Sequence, residues 1–122
     1  MQTHLLRRRA DLSPEAFFER LEEHCLPRLT ELAASLGASD VRVVTPLSGA
    51  YNQAISQVHG DFPFDAMVQL SWPDLATYEE GLGCPRGLRA AQAFADLERT
   101  VAELRQSAAV VATDISIRKE DR

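Results

Sequence analysis

The chain has 122 residues, 13 Lys plus Arg against 18 Asp plus Glu, a formal charge of -5, and 45% hydrophobic with 25% charged residues. That balance fits one soluble globular domain able to bury its own core, and it excludes a disordered tail, a fibre and a phosphate-tracking nucleic-acid surface. Two cysteines, Cys25 and Cys84, are too few for a disulfide framework and read as reduced thiols of a cytoplasmic protein, and no apolar stretch has signal-peptide or membrane-span length.

Leu5 and Leu6, set among the polar residues between Thr3 and Arg9, predict a short first strand. Ser13 before Pro14 and Glu15 is a helix start: an N-cap hydroxyl, a proline whose missing N–H costs nothing in the first turn, and an acid that suits the helix dipole. Phe18, Leu21, Cys25, Leu29, Leu32 and Leu36 then recur at steps of three and four, so one stripe faces a core until Gly37. Pro27 cannot donate to the carbonyl of Glu23, and its ring crowds that carbonyl, so the helix should kink or break near His24. A second strand is expected over 40–45. Residues 47–63 read either as a long loop or as an extension of that strand, because glycines and polar residues mix there with Tyr51, Ile55 and Val58.

From Phe64 to Trp72 apolar residues alternate with Asp65, Met67, Gln69 and Ser71, the pattern of a strand with one apolar and one mixed face. Pro73 and Asp74 open a short helix that Gly81 and Gly83 should stop. A second long amphipathic helix is expected over 86–105, with Leu88, Ala91, Phe94, Leu97, Val101 and Leu104 as its stripe. A last strand is expected over 110–117. The domain is thus expected over 3–118, with a charged tail over 119–122.

The order β-α-β-β-α-β predicts an α+β, ferredoxin-like domain: a four-stranded antiparallel sheet with helices on one face. The opposite face, bearing Val44, Met67, Gln69 and Val110, is then left bare, and apolar area of that kind marks an association surface. A homodimer, sheet against sheet, is the expected partner arrangement.

The segment Leu12-Ser13-Pro14-Glu15-Ala16-Phe17, the His24 and Pro27 pair, and the strand Phe64-Asp65-Ala66-Met67-Val68-Gln69-Leu70-Ser71-Trp72 together resemble the EthD family of the dimeric α/β barrel superfamily. The resemblance runs from about Leu5 to Ile117. It implies the same ferredoxin-like fold, a sheet-to-sheet homodimer and a small pocket in each subunit between sheet and helices. It implies no single reaction, since the superfamily holds cofactor-free monooxygenases, polyketide cyclases, lactone isomerases, haem-degrading enzymes and proteins needed for ether degradation.

Three residues are candidates for proton transfer. His24 sits on the flank of the core stripe, at about 100 degrees per residue from its neighbours, where it either serves as acid or base at a pocket or caps the broken turn. Tyr51 and His59 fall in the irregular segment, where they either line a ligand site or lie on the surface. Phe17, Leu21, Trp72 and Phe94 supply apolar walls for a substrate, with Arg28 beside them. Asp65, Gln69 and Ser71 on the mixed strand face suit hydrogen bonds across a dimer interface, and His4 is a lesser candidate at a strand end. Three histidines far apart, with no Glu or Cys at ligand spacing, make no metal site, and no cofactor is expected.

The expected function is a small cofactor-free enzyme acting on a hydrophobic aromatic or polyketide-like molecule by acid/base proton transfer, as a cyclase, isomerase or monooxygenase-like protein. The alternatives are a non-catalytic ligand-binding or accessory protein and a haem-binding barrel.

Overall fold

The computed structural model describes residues 1–46, 53, 57–58, 60 and 63–112, and these residues form four strands with helices packed on one side of them. The strands are β1 (Gln2–Leu6), β2 (Asp40–Val44), β3 (Ala66–Ser71) and β4 (Ala108–Val111). They lie in the order β2-β3-β1-β4, every neighbouring pair antiparallel, which is the ferredoxin-like order. The central pairing is β1 with β3, where His4 lies opposite Val68 and Leu6 opposite Ala66.

Because facing residues share a side of a sheet, register divides the strands into two faces. Leu6, Ala66, Val68 and Leu70 are buried together with Phe17, Leu21, Leu29 and Phe94 from the helices, so this face carries the core. Met67 and Gln69 on β3 pair with Val44 and Arg42 on β2 and with Leu5 and Thr3 on β1, and they form the opposite, helix-free face. The expected bare face therefore bears the residues read from the sequence.

Helix α1 (Pro14–Arg20) starts as expected, with Ser13 Oγ accepting from the Ala16 N–H at 3.1 Å. The kink expected from Pro27 takes a definite form: a π-helical turn over Leu21–Cys25, in which the Leu26 N–H reaches back to the Leu21 carbonyl. One extra residue per turn lets the chain pass the proline without breaking, and α2 (Leu26–Ser35) continues from it. Gly37, at φ +80, turns the chain out of the helix in a conformation that side chains with a Cβ resist.

Helix α3 (Leu75–Gly83) is capped by Asp74, whose carboxylate accepts from the Thr77 N–H and hydroxyl, both at 2.7 Å. These bonds hold the Asp74 carboxyl below its ordinary range, the backbone N–H contributing most. Gly81 does not stop this helix. It lies inside α3 because a Cβ there would overlap the Leu36 carbonyl, and Gly87 in helix α4 (Pro85–Arg99) is bare because a Cβ would overlap the Gly81 carbonyl. Two glycines thus bring α2, α3 and α4 to backbone contact.

Two expectations about α4 are corrected. Helix α4 ends at Arg99 rather than Arg105, and a 3-10 turn over Leu104–Gln106 follows it. Leu88 is 60% exposed, since the buried line of α4 runs through Gly87, Ala90, Phe94 and Glu98, while Phe94 and Val101 of the expected stripe are buried. Asp65 precedes β3 and accepts from the Arg8 N–H at 2.9 Å. The expected C-terminal strand is described up to Val111, and its remainder and the tail lie outside the described residues, as does nearly all of 47–62. Among the described residues no helix is long and apolar enough to cross a membrane.

A methyl group at position 81 meets backbone rather than a flexible side chain, so Gly81→Ala is expected to cost about 1–3 kcal/mol, read as a lower urea midpoint at unchanged slope. A wild-type midpoint would show that α3 can move off Leu36 freely.

Candidate active site

The helix-covered face of β1 carries one polar side chain well inside the structure. His4, next to Leu6 on that face and opposite Val68, points at α4, where it meets Glu98 and Phe94. Nδ1 of His4 lies 2.8 Å from Oε2 of Glu98, and the two side chains are 16% and 5% exposed. The far nitrogen, Nε2, lies 3.0 Å from Oε1 of Gln2. The Phe94 ring stands edge-on to the imidazole, with centroids 5.5 Å apart.

Glu98 reaches this position by helix geometry. It follows Phe94 by four residues, which places both on the same side of α4, facing the sheet. A carboxylate is only an acceptor, so Nδ1 of His4 carries the proton between them. Nε2 is then the nitrogen open to exchange, facing an amide that can turn either its oxygen or its NH2 group to the ring. An imidazole held in one tautomer by a buried carboxylate is a standard acid/base unit.

Beside this pair lies a cavity of about 170 Å³, walled by Leu36, Leu82, Ala91 and Phe94 and floored by His4, Glu98 and Gln2. A larger cleft of about 690 Å³ opens at the end of the sheet, between Met1, Trp72, Leu75, Tyr78 and Val111. Trp72 donates its indole N–H to the Leu36 carbonyl at 3.0 Å and meets Tyr78 edge to face at 4.8 Å. A third cleft, about 260 Å³, lies near β2 and is bordered by Phe18, Leu21 and Val43.

The residues expected from the sequence fall in different places. Phe94 borders the His4 cavity, Trp72 the large cleft and Leu21 the cleft near β2. Phe17 is fully buried in the core, and Arg28 is exposed and paired with Glu31 at 2.8 Å on its own helix. His24 is exposed on the π-helical turn and lines none of these three clefts. Tyr51 and His59 lie outside the described residues. The described part of the structure therefore does not gather the expected set into one site.

The sequence reading held His4 only as a lesser candidate at a strand end and passed over Glu98. The available signal was an acid placed four residues after a core phenylalanine, since a buried carboxylate requires a donor from elsewhere in the fold. Burial pushes the Cys25 thiol above its ordinary value, and its sulfur rests 3.7 Å from the Thr100 hydroxyl, so this cysteine is a neutral packing group. Among the described residues no group of three His, Cys, Asp or Glu is placed to hold a metal ion.

A four-stranded antiparallel sheet with helices over one face, and cavities in the seam between them, defines a ferredoxin-like α+β protein. The chain belongs to the EthD domain family, whose match covers residues 9–99. No curated protein matches it. Among solved structures it is similar to HapK from Hahella chejuensis, at 14% identity and a TM-score of 0.42, over 98% of this chain and 100% of that one.

Removing the histidine leaves a carboxylate buried without its partner, so His4→Ala is expected to lose on the order of 3 kcal/mol of stability. Replacing both residues by Leu should recover most of that loss, because two apolar groups bury without an orphaned charge. Denaturation of the two variants beside the wild type measures the difference, and equal stability of His4→Ala and wild type would mean the pair is not buried as described.

Proposed function

We propose that this EthD-family protein is a cofactor-free enzyme that moves protons on a hydrophobic aromatic or polyketide-like small molecule, with His4 as the acid/base group and Glu98 as its positioning residue. The observation that carries this reading is the 2.8 Å contact between two mostly buried titratable side chains at the floor of a cavity between sheet and helix. Burying such a pair costs more than packing two leucines there, and buried titratable pairs beside cavities concentrate at functional sites. The apolar walls, Leu36, Leu82 and Phe94, suit a ring or an alkyl chain, and Nε2 of His4, once the Gln2 amide turns away, suits one carbonyl or hydroxyl. Compared with the sequence expectation, the acid/base role moves from His24 to His4, because His24 stands in solvent while His4 is held by two partners.

A binding role without chemistry has an observation of its own: both nitrogens of His4 are engaged, by Glu98 and by Gln2. The conservative variant His4→Gln separates the readings, since its amide can still donate to Glu98 but cannot exchange a proton. Wild type is expected to be stabilised in a thermal-shift screen of aromatic ketones and phenols and to convert at least one of them, followed by mass spectrometry. His4→Gln is expected to keep the stabilisation and lose turnover by at least about 100-fold, the usual worth of a general acid or base. Stabilisation without any product from wild type favours the binding module, and undiminished turnover by the variant removes His4 from the chemistry.

The second part of the proposal is that a copy of the chain covers the helix-free sheet face. Leu5, Val44 and Met67 are half-buried there, and Val110, opposite Thr3 on the same face, is 53% exposed. Sedimentation equilibrium is expected to give twice the 13.5 kDa of one chain, and Met67→Lys to give the single-chain mass. A wild-type chain that stays monomeric at high concentration would contradict this interface.

A further inference from the structure

We infer that Gln2 is the gate between two connected chambers, and that the ligand is a flat aromatic molecule whose body lies against Trp72 and Tyr78 while its carbonyl or hydroxyl replaces the Gln2 amide at His4. The inference rests on the proposed role of His4 for its chemistry, but not for the path.

Neighbouring residues line the two cavities, although no residue lines both. Gln2 lines the inner one, while its chain neighbour Met1 and its cross-strand partner Val111 line the outer one. Leu36 lines the inner one, and its carbonyl accepts the indole N–H of Trp72, which lines the outer one. What separates them is therefore one half-buried glutamine side chain on one side and one indole on the other. The Trp72 side is fixed by its hydrogen bond and by the edge-to-face packing of Tyr78. The glutamine side is fixed only by its contact with Nε2 of His4 at 3.0 Å. Of the two, the amide is the part that can swing.

Volume assigns the parts of the ligand. The inner cavity, about 170 Å³, is smaller than the roughly 300–1,000 Å³ that organic ligands occupy, whereas the outer cleft at about 690 Å³ falls within that range. A ligand body thus belongs outside, with only its polar end passing Gln2. Both hydrogen-bonding senses are available at the inner end: a carbonyl accepts from a protonated Nε2 and a hydroxyl donates to a bare one. The outer walls, Trp72, Tyr78, Leu75 and Val111, offer ring faces and apolar edges to an aromatic body, while the charged groups at the rim are already engaged, the Met1 ammonium by the Ala112 carbonyl and the Asp74 carboxylate by Thr77.

The chain contains a single tryptophan, so the Trp72 indole N–H gives one assignable nuclear magnetic resonance signal, and its hydrogen bond to Leu36 places that signal between the two cavities. The probe is 2-acetylnaphthalene, a neutral bicyclic aromatic ketone. In wild type it is expected to shift the indole signal saturably and to shift the His4 imidazole signals in parallel. In Gln2→Ala, where no amide must be displaced, the same shifts should saturate about fivefold lower in concentration, the equivalent of one net hydrogen bond. If Gln2→Ala does not fold, Gln2→Ser serves the same comparison. In His4→Gln the indole signal should still move, so a failed catalytic role and a failed path give different results. An indole signal that stays fixed up to the solubility limit of the probe, or equal affinity of wild type and the Gln2 variant, would overturn the gate.

Discussion

A single buried contact, the imidazole of His4 against the carboxylate of Glu98, fastens the central pair of strands to the long helix that covers them. Strand β1 lies between β3 and β4, and α4 crosses the same face, so this contact ties the N-terminal strand to residues more than ninety positions later in the chain. Hydrophobic burial by Leu6, Val68, Leu70 and Phe94 supplies most of the attraction between the layers, but apolar contacts tolerate sliding. A charge-assisted hydrogen bond at 2.8 Å does not, because a shift of either element strands a carboxylate in a dry interior. The pair therefore sets where α4 sits over the sheet, and with it the shape of the cavity that the pair itself floors.

The rest of the helical layer is arranged so that this seam is neither sealed nor loose. The π-helical turn carries α1 into α2 past Pro27 while keeping Leu21, Cys25 and Leu29 all pointed into the core. Gly81 and Gly87 let three helices meet at backbone distance, which holds Leu36 and Leu82 at the cavity wall. On α4 the small residue Ala91 stands where a Leu would fill the space in front of Phe94. Rigid backbone contacts around a gap that small side chains leave open are a way to keep a cavity in a domain of this size.

Much of the architecture was readable in the sequence because local chemistry and the fold agree there. Ser13 with Pro14 marks a helix start, Gly37 takes a left-handed turn, and the alternation from Ala66 to Leu70 states which face of β3 is buried. The site was harder to read, for physical reasons. Glu98 on an amphipathic helix looks like an ordinary solvent-facing acid, although its place four residues after the core residue Phe94 turns it toward the sheet. The burial of Gly87 in place of Leu88 goes with the close approach of Gly87 to the Gly81 carbonyl, a tertiary contact with no local signature. His4, near the start of a strand, is buried only because β1 is central, which the strand order decides and the residue's neighbours do not. His24 was attractive for its place beside Pro27, yet it lies exposed on the π-helical turn.

The most direct measurement is a nitrogen-15 spectrum of the imidazole side chains in the full-length protein. If Glu98 holds His4 as described, its ring shows a fixed, protonated Nδ1 in a hydrogen bond, distinct from the averaged tautomers of a solvent-exposed ring such as His24. A His4 ring that averages its tautomers as freely as His24 would mean that the carboxylate does not hold it, and the proposed acid/base site would have no basis.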